Sequence, residues 1–201
     1  SVAVLPFQNL GGDAEAEFFL DSVAEDLITE LARARWFSVV ARNTSFSYKG
    51  KGADSKQLAR ELGVRYVVEG SLRKAGNRVR ISCQLVEAAS GEHLWAERFD
   101  GALEDSFDLQ DQITERLMGS VSPVLRGAEI ERARRKPEAS QDAYDLLCRA
   151  IPSAFAETAA DNGEALRLLG LVFDTDPDNP LANALAAWCR QQRHLMNWPG
   201  D

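Results

Sequence analysis

Hydrophobic and polar positions change their rhythm several times along the chain. Val2-Ala3-Val4-Leu5 is an almost unbroken apolar run, the pattern of a strand covered on both faces, and Pro6 ends it. Asn9-Leu10-Gly11-Gly12 reads as a loop, with Asp13 placed to cap a helix. From Ala14 to Arg35, Phe19, Val23, Leu27, Ile28 and Leu31 recur at helical spacing, while Glu25, Asp26 and Glu30 fall elsewhere around the axis. Trp36–Val40 reads as a second strand. Arg42 to Gly52 is a polar, glycine-containing connection carrying Phe46 and Tyr48. Asp54 or Ser55 then caps a short helix whose Leu58, Ala59 and Leu62 share a face, and Gly63 suits its left-handed end.

Val64–Arg73 predicts a third strand. Past a tight Gly76-Asn77 turn, Val79, Ile81, Cys83 and Leu85 alternate with Arg78, Arg80, Ser82 and Gln84, the clearest strand pattern in the chain. A turn at Ala89–Glu92 leads into His93–Asp100, with Trp95 and Phe99 on one face. Leu109, Ile113, Leu117, Val121 and Val124 then form the stripe of a long helix, capped by Asp105 or Ser106 and expected to kink at Pro123. The order β-α-β-α-β-β-β-α predicts an α/β (α+β) fold with a mixed sheet. Its first three strands would be parallel through right-handed crossovers, and its last three antiparallel.

After the charged stretch Glu131–Lys136, Pro137 marks a predicted boundary between domains 1–136 and 137–201. Beyond it the texture is all-helical. Tyr144, Leu147, Cys148 and Ile151 mark one helix, and Leu166, Leu169 and Phe173 a second. A turn from Asp174 to Pro180 leads to a third, with Leu181, Ala184, Leu185 and Trp188.

Composition narrows the classes. The 201 residues are 45% hydrophobic and 27% charged, enough for one sizeable domain with an appendage and too apolar for disorder. A net charge of −8 argues against nucleic acid and anionic membranes as partners. No apolar run approaches the roughly 18–20 residues that span a bilayer. Cys83, Cys148 and Cys189 lie far apart and odd in number, which predicts reduced core thiols and a cytoplasmic setting rather than disulfides or zinc. The start without Met and the stop at Pro199-Gly200-Asp201 read as a piece cut from a larger protein.

Candidate chemistry is thin, and no catalytic residue, metal site or cofactor is expected. His93 and His194 have no evident nucleophile–acid partners. Gly50-Lys51-Gly52 with Ser55 lacks phosphate-loop spacing. Asp174, Asp176 and Asp178 open like a calcium loop, but Asn179 and Leu185 stand where Gly and the bidentate Glu belong. Arg132, Arg134, Arg135 and Lys136 read as a solvated helix end complementing the helix dipole. The connection after the second strand is the most suggestive polar segment. Its Arg42, Asn43, Ser45, Tyr48, Lys49 and Lys51 form a candidate site for an anionic ligand or partner. On the last helix, Leu181, Leu185, Trp188 and Trp198 form a candidate interaction surface, which predicts a homodimer through the helical tail.

Several blocks carry a family resemblance: Ser1-Val-Ala-Val-Leu-Pro-Phe7, Ala41-Arg-Asn-Thr-Ser-Phe-Ser-Tyr-Lys-Gly50, the run from Leu62 to Arg80, Gly91–Asp100 and Phe107–Asp111. They resemble the TolB-N-terminal-like module found downstream of the catalytic domain in many bacterial class III adenylate/guanylate cyclases. Similar modules also follow winged-helix DNA-binding domains, and tetratricopeptide repeats commonly come next. The resemblance covers Ser1 to about Ala143. The remainder is similar to the start of such repeats, with Ala165, Leu169 and Pro177 at matching positions. Tyr144 and Leu181 are 37 positions apart, however, against about 34 in a standard repeat. The resemblance implies a non-catalytic regulatory or scaffolding module, with a protein partner bound through the repeats. No segment matches the cyclase metal aspartates. A small-molecule sensor and a module of a winged-helix regulator are the alternatives.

Overall fold

The computed structural model describes residues 1–34, 36–50, 55–102, 106–137 and 140–199. They divide into two compact units, 1–124 and 125–201.

In the first unit, β1 (Val2–Val4) and β2 (Gln8–Asn9) flank Pro6 and both pair in parallel with β3 (Tyr66–Ala75). β4 (Arg78–Glu87) and β5 (His93–Ala102) continue the sheet antiparallel, in the order β1-β3-β4-β5 with β2 on the same edge of β3 as β1. The mixed α/β fold expected from the sequence is therefore the fold observed. The β3–β4 turn is Gly76-Asn77, and only Gly76 has a positive φ, of 60°, as a type II′ hairpin requires.

Helix α1 (Ala14–Arg33) starts where Asp13 caps it, accepting from the Ala16 N–H at 3.0 Å. Helix α3 (Ser55–Leu62) ends at Gly63, whose φ is 65°. Two expectations in between are corrected. Trp36–Val40 is not a strand: it contributes one bridge, Val39 to Val2, because its pairing is confined to the single β1 residue Val2. The connection after it is not all loop, since Arg42–Phe46 winds into a short helix, α2, behind Ala41 in extended conformation. The candidate caps Asp54 and Asp105 lie outside the described residues.

The sheet has two unlike faces. Val68 and Leu72 of β3, Val79, Ile81, Cys83 and Leu85 of β4, and Phe99 of β5 point to one side and are buried. On that side Lys74 reaches Asp13 and Glu15 of α1, and α4 (Ser106–Arg135) lays Arg116 4.9 Å from the Phe99 ring centre. Leu109 of α4 takes the space over Gly101, where a Cβ would sit 2.5 Å from it. Among the described residues, the opposite face is covered only at its β1 end. There Ala3, Leu5 and Val67 pack with Leu58, Ala59, Val64 and Ala88, with Val40, Tyr48 and Leu62 at the margin.

The second unit is helical: the last part of α4, then α5 (Ala143–Ala154), α6 (Ala159–Thr175) and α7 (Pro180–Leu195). Each start is capped by a side chain, from Asp142, Thr158 and Asn179 respectively. The expected stripes keep Leu169 and Leu185, which are buried, but lose their other members. In α6 Ala165, Leu168 and Val172 are buried beside Leu169, in place of Leu166 and Phe173. In α7 Ala182, Ala186 and Cys189 are buried beside Leu185, in place of Leu181, Ala184 and Trp188. Both choices fit a 3.6-residue period. The small alanines let the helices approach closely, so the larger residues next to them turn outward.

Candidate functional site

The first unit carries a groove of about 1050 Å3 over the uncovered part of the sheet. Glu69 and Ser71 of β3, Ser82 and Gln84 of β4, and Ala96 and Arg98 of β5 form its polar floor, because alternate residues of paired strands share a face. Leu5, Pro6, Leu58 and Tyr48 make an apolar flank. Within it the Gln84 amide donates to Glu69 Oε1 at 2.5 Å. Gly70 is required where β3 passes Phe7: a Cβ there would lie 2.7 Å from the Ser82 carbonyl and 3.0 Å from the Phe7 ring. Cys83 turns its side chain to the buried helix-packed face of the sheet, and burial pushes its thiol up to about 12, away from the thiolate a nucleophile needs.

The structure separates the predicted polar site. Tyr48 and Lys49 line the groove; Arg42, Asn43 and Ser45 do not. Arg42 places Nε 2.9 Å from Glu25 Oε2 and its guanidinium 4.3 Å from the Phe46 ring centre. Asn43 is exposed on α2, and Ser45 is fully buried. Lys49 Nζ sits 2.6 Å from both Glu17 and Asp21. Desolvation works against its charge, but the hydrogen bonds to Asp21 and Glu17 outweigh it and lift its pKa above the usual lysine value. The hydrogen bond from Lys49 in turn lowers Glu17. Desolvation, with Glu61 beside it, raises the Tyr48 phenol. Lys51 lies outside the described residues.

In the second unit, Leu185 is buried, Leu181 and Trp198 are half-buried, and Trp188 is 44% exposed with its ring 6.1 Å from that of Phe155. The basic helix end is not simply solvated. Arg132 donates to Asp145 at 2.5 Å and to Glu129 at 3.1 Å, and Lys136 bonds the other Asp145 oxygen. Asp145 and Glu129 are fully buried, so the cluster is an ionic tie between α4 and α5. Asn162, also buried, donates to the Cys189 carbonyl at 2.9 Å and accepts from Arg193 at 2.8 Å, tying α6 to α7. Neither tie was foreseen. The only sequence signal for the first was an acid three positions after the Asp142 cap, the spacing of a capping box.

The first unit is thus a mixed-sheet α/β domain, helix-packed on one face and largely open on the other. It belongs to the family described as HilA/YgeH-like transcriptional regulator, second domain, which residues 1–116 match. A Rhizobium meliloti (strain 1021) protein named "Putative adenylate cyclase 3" is 42% identical over 200 residues, spanning 100% of this chain and 34% of that protein. The chain therefore spans about a third of the length of this curated relative. TolB from Acinetobacter baumannii overlaps 63% of the chain and 28% of its own, at 17% identity and a TM-score of 0.42. Lipoprotein GNA1162 from Neisseria meningitidis overlaps 61% and 97%, at 13% identity and 0.44. These superpositions are too loose to carry function. Among the described residues, no helix is long and apolar enough to cross a membrane.

Proposed function

We propose that this chain is a non-catalytic regulatory or scaffolding module of a bacterial adenylate/guanylate cyclase, working in the cytoplasm. Residues 1–136 would be its α/β domain. Residues 137–201 would begin a tetratricopeptide-like array that binds a protein partner. The observation that carries this reading is the match of the whole chain to one third of the relative named as an adenylate cyclase. The three unpaired, buried cysteines agree with a reducing compartment. The test has two arms. The chain alone, given ATP or GTP with magnesium or manganese, is expected to make no cyclic nucleotide. Deleting residues 1–201 from the parent is expected to leave cyclase activity while abolishing its response to regulation. Turnover by the chain above a mock purification, or a parent whose regulation survives the deletion, overturns the proposal.

The family match over residues 1–116 favours a second reading, a module serving a winged-helix transcriptional regulator, and the groove over the sheet favours a sensor of small molecules. Both keep the module and change what it reports to. We further propose homodimerisation through the tail, where Trp188, Leu195 and Met196 are exposed. Light scattering on the chain and on a version ending at Pro137 decides it. A dimer of the first and a monomer of the second are expected, and a monomeric whole chain at tens of micromolar overturns it.

A further inference from the structure

We propose that the open face of the β3–β5 sheet is a docking surface for an acidic protein segment carrying an apolar anchor. The register sets Arg73, Arg80 and Asp100 in one cross-strand row, Ser71, Ser82 and Arg98 in the next, and Arg78 in the row towards the hairpin. Four guanidiniums therefore share one exposed face with two carboxylates, Asp100 and Glu69, in a chain whose net charge is −8. Asp100 is taken by Arg80, which donates to it at 2.6 and 3.3 Å. That bond, with Arg98 and Arg78 nearby, holds the Asp100 carboxyl below the usual carboxylate range. Arg73, Arg78 and Arg98 make no ion pair among the described residues.

Such a face repels itself, and an incoming carboxylate relieves the repulsion. Arginine, which binds carboxylates through two parallel hydrogen bonds, is the residue suited to receive it. The groove beside Arg98 supplies an apolar flank, Leu5 and Leu58, for an anchoring side chain. Nucleic acid fits less well. No strand residue on these rows is aromatic, so bases find no stacking platform, and the charge of the whole chain opposes a long polyanion. A short acidic segment meets only the local field. This proposal does not depend on which output domain the module serves, so its failure leaves that reading intact.

Fluorescence anisotropy on the whole chain tests it. The probes are a short labelled peptide rich in Glu with one Leu, its Gln-for-Glu counterpart, and a single-stranded oligonucleotide. The Arg73→Gln, Arg78→Gln, Arg98→Gln variant is compared with Arg33→Gln, Arg134→Gln, Arg190→Gln, which removes the same charge from exposed sites elsewhere. The acidic peptide is expected to bind in a salt-sensitive way, and the neutral one not to bind. The face variant weakens binding about tenfold while the control variant retains it. No binding of the acidic peptide, equal losses in both variants, or tighter binding of the oligonucleotide overturns the proposal. Should the face variant not melt like the unaltered chain, Arg98→Gln alone decides: a measurable loss supports it, and none overturns it.

Discussion

The two faces of β3–β5 are built from alternate residues of the same three strands, yet they share almost nothing chemically. One presents Leu72, Ile81, Leu85 and Phe99 to α1 and α4, all at most 4% exposed. The other presents Ser71, Ser82, Arg73, Arg78, Arg80 and Arg98 to solvent. Burying a large apolar side chain contributes about 1.5–3 kcal/mol, whereas water screens an exposed ion pair such as Arg80–Asp100 and leaves it little to contribute. The first face therefore holds the domain together. The second contributes little to that stability, so its residues can change without unfolding the domain.

The largest effect expected from that contrast is Leu85→Ala, which should cost about 2–5 kcal/mol and lower the urea midpoint sharply. A small shift would mean that α1 and α4 do not seal this face. Asp145→Asn extends the contrast to a buried charge. Removing the shared partner of the tie leaves Arg132 to Glu129 and Lys136 to the more distant Asp142, at a cost of about 3 kcal/mol, read by the same titration. This tie also sets an acid limit. Burial alone would raise the Asp145 carboxyl, but hydrogen bonds from Lys136, the Asp142 N–H and Arg132 outweigh it and hold the pKa below the usual carboxylate value. A lowered folded pKa stabilises above the unfolded value, near 3.9, and that stability is lost as pH falls through the folded value. The Asn variant should lack this contribution to acid unfolding.

Gly76→Val, at the hairpin that both faces share, forces a β-branched residue to a φ of 60°, at about 1–3 kcal/mol. Its melting temperature should fall clearly while that of Glu92→Gln does not; equal small shifts would place the turn elsewhere. Ser82→Ala should move stability by less than about 0.5 kcal/mol. A loss as large as that of Leu85→Ala would show that the open face is structural.

What could be read early was short-range. Asp13 as a cap, Gly63 as a helix end, Gly76-Asn77 as a turn and the alternation from Arg78 to Leu85 each depend on a few neighbouring residues. Val39 failed as a strand residue because pairing needs a partner, and Val2 alone supplied one. The predicted site from Arg42 to Lys51 was drawn from residues close in sequence. The structure instead couples Arg42 to Glu25 and Lys49 to Glu17 and Asp21, acids of α1 with no local signal to mark them.

The sequence by itself determined the periods of the long elements, the helix caps and the β3–β4 turn, because those follow from local backbone preference and side-chain spacing; the short pieces β2, α2 and the bridge at Val39 it did not. Only the tertiary structure decided which alternate residues would be covered. It gathered Arg73, Arg78, Arg80 and Arg98 from three strands onto one face, drew Arg132 and Lys136 onto Asp145, and buried alanines rather than Leu166, Phe173 and Trp188 beside Leu169 and Leu185. Cross-strand register and helix placement are set by contacts between residues far apart in the chain, and no local pattern encodes those pairings.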